Sequence, residues 1–225
     1  YIITNYHVVY DADADVKISN KIYVYLYGQE LDKYKISATY IGGSMSYDIA
    51  VLKIQSDVYK ESNAHAATIG KSGDMTVGDS VIAIGNPNAG GIAVTQGILL
   101  MESEYITMTA ADNVSTVQIR VMRVDAAING GNSGGGLFND SGELIGIVNA
   151  KVVSEKIEGM AYAIPVDFAY PAAQNILKNC DGNTNTQILR SFMGISVQVT
   201  DSATEIADDG TVRIVNTVSL ASVEA

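Results

Sequence analysis

Apolar and polar positions alternate over short runs along most of this chain, and turn-forming residues separate the runs. In Ile22-Tyr23-Val24-Tyr25-Leu26-Tyr27, β-branched and aromatic side chains fall on alternating faces, the period-two spacing of a strand. Similar runs predict strands at Ile22 to Tyr27, Lys35 to Ile41, Ile49 to Ile54, Val81 to Ile84, Ile92 to Leu100, Val117 to Val124, Leu144 to Asn149 and Met160 to Ile164. Gly28, Gly42-Gly43, Gly78-Asp79, Asn86-Pro87-Asn88 and Asp140-Ser141-Gly142 supply breaks between them. Such a succession predicts an all-β barrel or sandwich.

The period changes after Ile164. From Pro165 to Asn179, Phe168, Ala172, Ile176 and Leu177 recur at helical spacing, which predicts one helix closing the β-domain, with Asp167 capping its start and Asn179 ending it. Asp181-Gly182-Asn183-Thr184-Asn185 then reads as a polar linker, followed by strands at Phe192 to Val199 and Thr211 to Val218. Only about 34 residues lie in that last part, fewer than an independent domain usually needs.

At 225 residues and 47% hydrophobic composition, the chain has material for one or two ordinary cores. Fourteen Lys and Arg against 25 Asp and Glu give a formal net charge of -11, which repels phosphate backbones and argues against nucleic acid as a partner. Cys180 is the sole cysteine and there are 2 histidines, so an internal disulfide and a four-ligand Cys/His zinc site are both out of reach. No run of about 18 apolar residues suggests a membrane span.

The densest chemical signal is Asp125-Ala126-Ala127-Ile128-Asn129-Gly130-Gly131-Asn132-Ser133-Gly134-Gly135-Gly136. A serine in so glycine-rich a turn can present its hydroxyl beside unshielded backbone N–H groups, so one turn supplies both a nucleophile and donors for an oxyanion. Ser133 then needs a base that protonates near neutral pH, and the chain offers His7 and His65. Gly131-x-Ser133-x-Gly135 also matches the nucleophile elbow of α/β-hydrolases, but there the histidine follows the serine, and none follows Ser133. The order Asp48, His65, Ser133 belongs to an α/β scaffold and would draw its base from the small polar loop Ser62 to Ala66. The order His7, Asp48, Ser133 is the one found on paired β-barrels, so fold and order agree. Asp48 opens the apolar run Ile49-Ala50-Val51-Leu52, where a carboxylate is expensive to bury without a partner such as an imidazole N–H.

Two other motifs fail on their own terms. Asp11-Ala12-Asp13-Ala14-Asp15 imitates the start of a calcium loop, yet Val16 and Ile22 stand where glycine and glutamate are required, which leaves a solvated turn. Gly131 to Gly136 has phosphate-loop spacing, but Leu137-Phe138 follow in place of Lys and Ser or Thr.

Taken together, Tyr1-Ile2-Ile3-Thr4-Asn5-Tyr6-His7-Val8-Val9, Tyr47-Asp48-Ile49-Ala50-Val51-Leu52-Lys53-Ile54 and the serine segment resemble the HtrA family of trypsin-like serine proteases, as do Ala83-Ile84-Gly85-Asn86-Pro87 and Gly142-Glu143-Leu144-Ile145-Gly146-Ile147. The resemblance implies an all-β, chymotrypsin/trypsin-like double six-stranded β-barrel with a short C-terminal helix over residues 1–180, with further strands upstream of Tyr1. It implies a linker over 181–191 and an incomplete PDZ-like segment over 192–225, in which Phe192, Met193, Gly194 and Ile195 would bind a peptide C-terminus. His7, Asp48 and Ser133 would form the triad, and the N–H groups of Gly131 and Ser133 the oxyanion hole. Ala127, six residues before the serine, would be the base of the substrate pocket, lined also by Ile128, Asn149, Ala150 and Lys151, the last a departure from the aliphatic residue expected there.

By the same resemblance the activity is that of an ATP-independent endopeptidase without metal or cofactor, which cuts unfolded or damaged proteins through an acyl-enzyme after small or aliphatic residues. A homotrimeric full-length protein, periplasmic or anchored on the outer face of a bacterial cell membrane, is implied as well. The alternative is a quality-control chaperone or peptide-sensing binding protein with a latent triad.

Overall fold

The computed structural model describes residues 1–26, 35–54, 64–87, 90–152, 160–180, 182, 185–189, 195–206 and 212–223. They fall into two compact units, Tyr1–Leu189 and Arg190–Ala225.

In the first unit, β1 (Ile2–Thr4) leads into a single helical turn, α1 (Tyr6–Val9), followed by β2 (Ile22–Val24), β3 (Ile36–Ser44) and β4 (Ile49–Ile54). These strands form an antiparallel sheet in the order β1-β4-β3-β2. Six more strands follow: β5 (Ser80–Gly85), β6 (Ala93–Thr109), β7 (Thr116–Val124), β8 (Gly136–Phe138), β9 (Leu144–Asn149) and β10 (Ala161–Pro165). They close into a barrel in the order β10-β7-β6-β5-β8-β9. The all-β, trypsin-like expectation is met, with six strands in the second half and, among the described residues, four in the first.

β4 is the seam between the two halves. Its alternating side chains serve different cores, because successive residues of a strand face opposite sides. Ile49 packs with Leu144, Ile147, Ile164 and Val166 of the barrel side, and Val51 with Ala173 and Ile176 of the closing helix. Ala50 and Leu52 turn the other way, onto Val9, Ile18 and Tyr40. Whatever stands just before Ile49 is thereby delivered to the junction of sheet and barrel.

The predicted helix is present as α2 (Val166–Asn179), burying Val166, Ala169, Ala172, Ala173 and Ile176. Asp167 does not cap it: the capping position is Pro165, and the Asp167 carboxylate instead accepts the Gly73 N–H at 2.7 Å, tying the helix to the loop before β5. Phe168 makes an edge-on contact with Tyr47 at 4.7 Å between ring centroids, which fixes the residue next to Asp48.

Several strand boundaries differ from the sequence pattern, and β2 stops at Val24 instead of continuing toward Tyr27. β6 runs on to Thr109, because register shifts between Leu99 and Met101 and between Met101 and Glu104 interrupt the alternation that a period-two pattern relies on. β3 continues through Gly42-Gly43, read above as a break, with a bulge between Tyr40 and Gly42. Gly42 is required there by close approach, since a Cβ would lie 2.1 Å from the Thr186 carbonyl oxygen. Thr186, in the stretch read as a linker, bonds Ile41 and Gly43 through its own N–H and C=O at 3.0 and 3.1 Å. β8 follows the serine turn so closely that no separate run announces it.

The second unit contains β11 (Ile195–Ile206) and β12 (Val212–Val223), paired antiparallel. Of the four peptide-binding candidates, Phe192, Met193 and Gly194 lie outside the described residues, and Ile195 opens β11.

Candidate active site

His7 sits in α1 directly after β1, and Asp48 sits in the turn that enters β4, so the β1–β4 pairing brings the two together. Asp48 adopts φ 53, a left-handed conformation that aspartate tolerates better than most residues, and its side chain thereby turns back toward α1. The residue is 3% exposed. Its carboxylate accepts from the His7 backbone N–H through Oδ1 at 2.9 Å, contacts His7 Nδ1 through Oδ2 at 2.7 Å, and accepts from Asn149 Nδ2 at 2.8 Å, also through Oδ2. Asn5 Nδ2 donates to the Asp48 carbonyl at 3.1 Å. A carboxylate oxygen accepts here, so the contact places a proton on Nδ1, and in the neutral ring Nε2 is then the acceptor. That is the tautomer a general base needs.

The serine turn is built from glycine conformations. Asn129 to Asn132 form a tight turn closed by the Asn132 N–H on the Asn129 carbonyl at 3.1 Å, with Gly131 at φ 95. Gly134 follows at φ 81, and a Cβ there would fall 2.1 Å from Thr4 Oγ1. The turn therefore packs against the segment that leads into His7. On its other side, the Gly134 N–H donates to the Val148 carbonyl at 3.0 Å and the Val148 N–H to Gly135 at 2.9 Å, which clamps the turn onto β9. Among the described residues, the N–H groups of Gly131 and Ser133 donate to no protein acceptor, whereas those of Asn132, Gly134 and Gly135 are bonded. The Ser133 hydroxyl oxygen accepts the Ala150 N–H at 3.1 Å and, among the described residues, makes no hydrogen bond with His7.

The five pocket candidates divide. Ala127 is exposed, and its carbonyl accepts the Thr95 hydroxyl at 3.0 Å. Ile128 is buried in the barrel core, against which Ala150 packs. Asn149 is fully buried and committed to Asp48. Lys151 reaches away to the β6–β7 turn, where its ammonium donates to the Ala110 carbonyl and, at 3.1 Å, to Asn113 Oδ1. Asp112 in that turn has its carboxyl held below the usual range by the Ser115 hydroxyl, by the Val114 and Ser115 N–H groups and by nearby Lys151. His65 is exposed, and Asp48 pairs with His7 instead. The Asp11 carboxylate is occupied locally, accepting the Asp13 N–H at 3.0 Å.

Behind α1, Tyr6 meets Tyr40 edge-on at 6.5 Å. Burial, with a smaller contribution from Tyr6, pushes the Tyr40 phenol well above its ordinary value, and burial followed by Tyr10 raises Tyr6. The wall behind the histidine segment is thus neutral and aromatic at physiological pH.

The sequence reading placed Asn149 in the substrate pocket and missed its hydrogen bond to Asp48. An amide ending the apolar run Leu144 to Val148 must find a partner once buried, which was the available signal. No pattern in the sequence named that partner.

Residues 1–147 match the family described as trypsin-like peptidase domain. The chain is 36% identical over 203 residues to a serine protease Do-like HtrA of Lactococcus lactis, covering 87% of this chain and 44% of that protein. It is 36% identical over 200 residues to a probable periplasmic serine endoprotease, DegP-like, of Halomonas elongata, covering 88% of this chain and 36% of the relative. Among solved structures, the HtrA-type protease AlgW with a decapeptide superposes at a TM-score of 0.67 with 31% identity, covering 98% of this chain and 59% of that one. The chain thus spans less than half the length of these two relatives.

Proposed function

Because this chain belongs to the HtrA family of trypsin-like serine proteases, we propose that it hydrolyses peptide bonds of unfolded or damaged polypeptides through His7, Asp48 and Ser133. Ser133 Oγ attacks the scissile carbonyl, and His7 Nε2 takes its proton and later returns it to the leaving amine. Asp48 keeps the imidazole in the required tautomer and stabilises the imidazolium that forms. The N–H groups of Gly131 and Ser133 receive the developing oxyanion, and a water molecule then releases the acyl group from Ser133. Removing one such donor typically costs roughly 10²- to 10³-fold in rate. No step consumes ATP or requires a metal.

The observation that carries this reading is the His7 Nδ1 contact with buried Asp48 Oδ2 at 2.7 Å, which leaves Nε2 as the free acceptor. The uncharged Ala127 at the proposed pocket base supports cleavage after small or aliphatic residues, because an alanine side chain offers no group that pairs with Lys or Arg. The periplasmic description of the Halomonas elongata relative supports a site of action outside the bacterial cytoplasm.

The test is Ser133→Ala. Hydrolysis of an unfolded protein substrate falls by about 10⁶-fold, to background, with thermal stability retained. Persistence of the activity in that variant contradicts the assignment.

One observation favours a second reading. The Ser133 hydroxyl is bonded to Ala150 and not to His7, as suits a binding protein or chaperone whose triad is latent. Equal suppression of aggregation by wild type and Ser133→Ala, without proteolysis in either, selects it.

A further inference from the structure

Asn129-Gly130 is the one Asn-Gly pair in the sequence, and it opens the tight turn that leads to Ser133. In such a pair the backbone nitrogen of the second residue can attack the side-chain amide of the first, because no Cβ crowds the approach. The structure leaves that approach open. Both residues are exposed, and among the described residues neither the Asn129 side-chain amide nor the Gly130 N–H has a protein partner. Around Gly130 a Cβ would meet nothing within 4 Å. Asn132-Ser133, three residues on, is the contrast. Asn132 is 5% exposed, its N–H is bonded to Asn129 and its carbonyl to Gly135, and its side chain lies where a Cβ on Gly85 would come within 2.3 Å of Oδ1.

We propose that Asn129 is a site of spontaneous deamidation that disables the serine turn as the protein ages. The Gly130 nitrogen forms a bond to Asn129 Cγ and loses its proton, and the side-chain nitrogen leaves as ammonia. A five-membered succinimide results. Solvent water then opens one of its two C–N bonds, giving aspartate when the side-chain carbonyl is attacked and isoaspartate when the main-chain carbonyl is attacked. In the isoaspartyl product the chain runs through the side-chain methylene, so one atom is added to the backbone. The former main-chain carbonyl, which accepts the Asn132 N–H at 3.1 Å and closes the turn, becomes a free carboxylate. The turn is thus opened and a negative charge is set beside the Gly131 and Ser133 N–H groups, the donors assigned to the oxyanion. The effect on hydrolysis rests on the function proposed above, whereas the modification itself does not.

The experiment ages purified wild type, Asn129→Gln and Gly130→Ala at physiological temperature over a series of neutral to mildly alkaline pH values. Glutamine closes the larger, slower-forming ring, and the methyl of alanine hinders attack in a place that has room for it. Peptide mass spectrometry with electron-transfer fragmentation finds isoaspartate accumulating at position 129 in wild type, faster at higher pH, while Asn132 stays intact. Modified and unmodified wild type, separated by anion exchange on the added charge, differ in hydrolysis of an unfolded substrate by about 10²-fold or more, the loss expected when an oxyanion donor is misplaced. Both variants keep their starting activity over the same period.

Failure of position 129 to convert while the same chain held in denaturant converts fully overturns the site. Conversion without loss of hydrolysis in the separated isoaspartyl form overturns its consequence, and equal ageing of wild type and both variants overturns both. Where a variant folds poorly, the separated wild-type forms decide by the same readouts. Fresh wild type that hydrolyses nothing defeats the hydrolytic reading, while the mass spectrum of that sample still supports or overturns the modification.

Discussion

Asp48 grips His7 at two points, with Oδ2 at 2.7 Å from the ring Nδ1 and Oδ1 on the residue's own backbone N–H at 2.9 Å. A single contact leaves a ring free to swing, whereas two from one rigid carboxylate fix both the position of α1 and the rotation of the side chain.

Asp48→Asn keeps the shape of this grip and removes its chemistry. The amide offers a donor where the ring Nδ1 must donate, which favours the wrong tautomer. The expected outcome is a fall in kcat of about 10⁴-fold with the fold intact, read by steady-state hydrolysis and circular dichroism. A variant within tenfold of wild type shows that the pair does not set the tautomer.

Gly134→Ala separates backbone strain from steric contact when compared with Gly142→Ala. Both glycines have positive φ, at 81 and 74, but only at Gly134 would a Cβ collide, lying 2.1 Å from Thr4 Oγ1, whereas nothing lies within 4 Å at Gly142. Gly142→Ala loses about 1 kcal/mol and keeps activity, since strain alone is added. Gly134→Ala loses more than that and loses hydrolysis, because the serine turn is pushed off the segment leading to His7. Equal losses in thermal denaturation and equal activities refute the packing of the turn on Thr4.

Specificity follows from what is charged near the turn. Lys151 is committed to Ala110 and Asn113, so its ammonium is not offered to a substrate. A peptide library therefore shows cutting after small or aliphatic residues, and Lys151→Met leaves that ranking unchanged. Preferred cutting after Lys or Arg contradicts the role given to Ala127, and a Lys151-dependent preference for acidic residues contradicts the commitment of Lys151.

The β6–β7 turn carries its own pH dependence. Asp112 is held below the ordinary carboxylate value, first by the Ser115 hydroxyl and then by backbone N–H groups. A carboxyl depressed in the folded state contributes stability that is fully present above its unfolded value, about 3.9, and is lost as pH falls through the lower folded value. Carbon NMR of the Asp112 carboxyl gives a midpoint below about 3.9. A midpoint at or above that value contradicts the hydrogen bonds that Ser115 and Val114 make to Asp112.

How much of this was legible in the sequence depended on the range of the cause. β4 and α2 were readable because Ile49 to Ile54 and the helical spacing after Pro165 are local patterns that tertiary packing reinforces. The far half of β6 was not, because its bulges break the period on which the reading depends. Gly42-Gly43 looked like a break, since only the fold reveals Thr186 closing against it. Of the candidate site, His7, Asp48 and Ser133 were singled out by residue type and order. The pairing of His7 with Asp48 required the β1–β4 register, and the commitments of Asn149 and Lys151 depended on partners about a hundred and about forty positions away, which no local pattern encodes.

The most direct test is to treat the native protein with a fluorophosphonate and locate the adduct by peptide mass spectrometry. Modification at Ser133, abolished in Asp48→Asn and by prior unfolding, is the predicted result, because only a serine activated by His7 attacks phosphorus at an appreciable rate. Absence of label at Ser133 in protein that is hydrolysing substrate, or label on another serine, contradicts the central assignment.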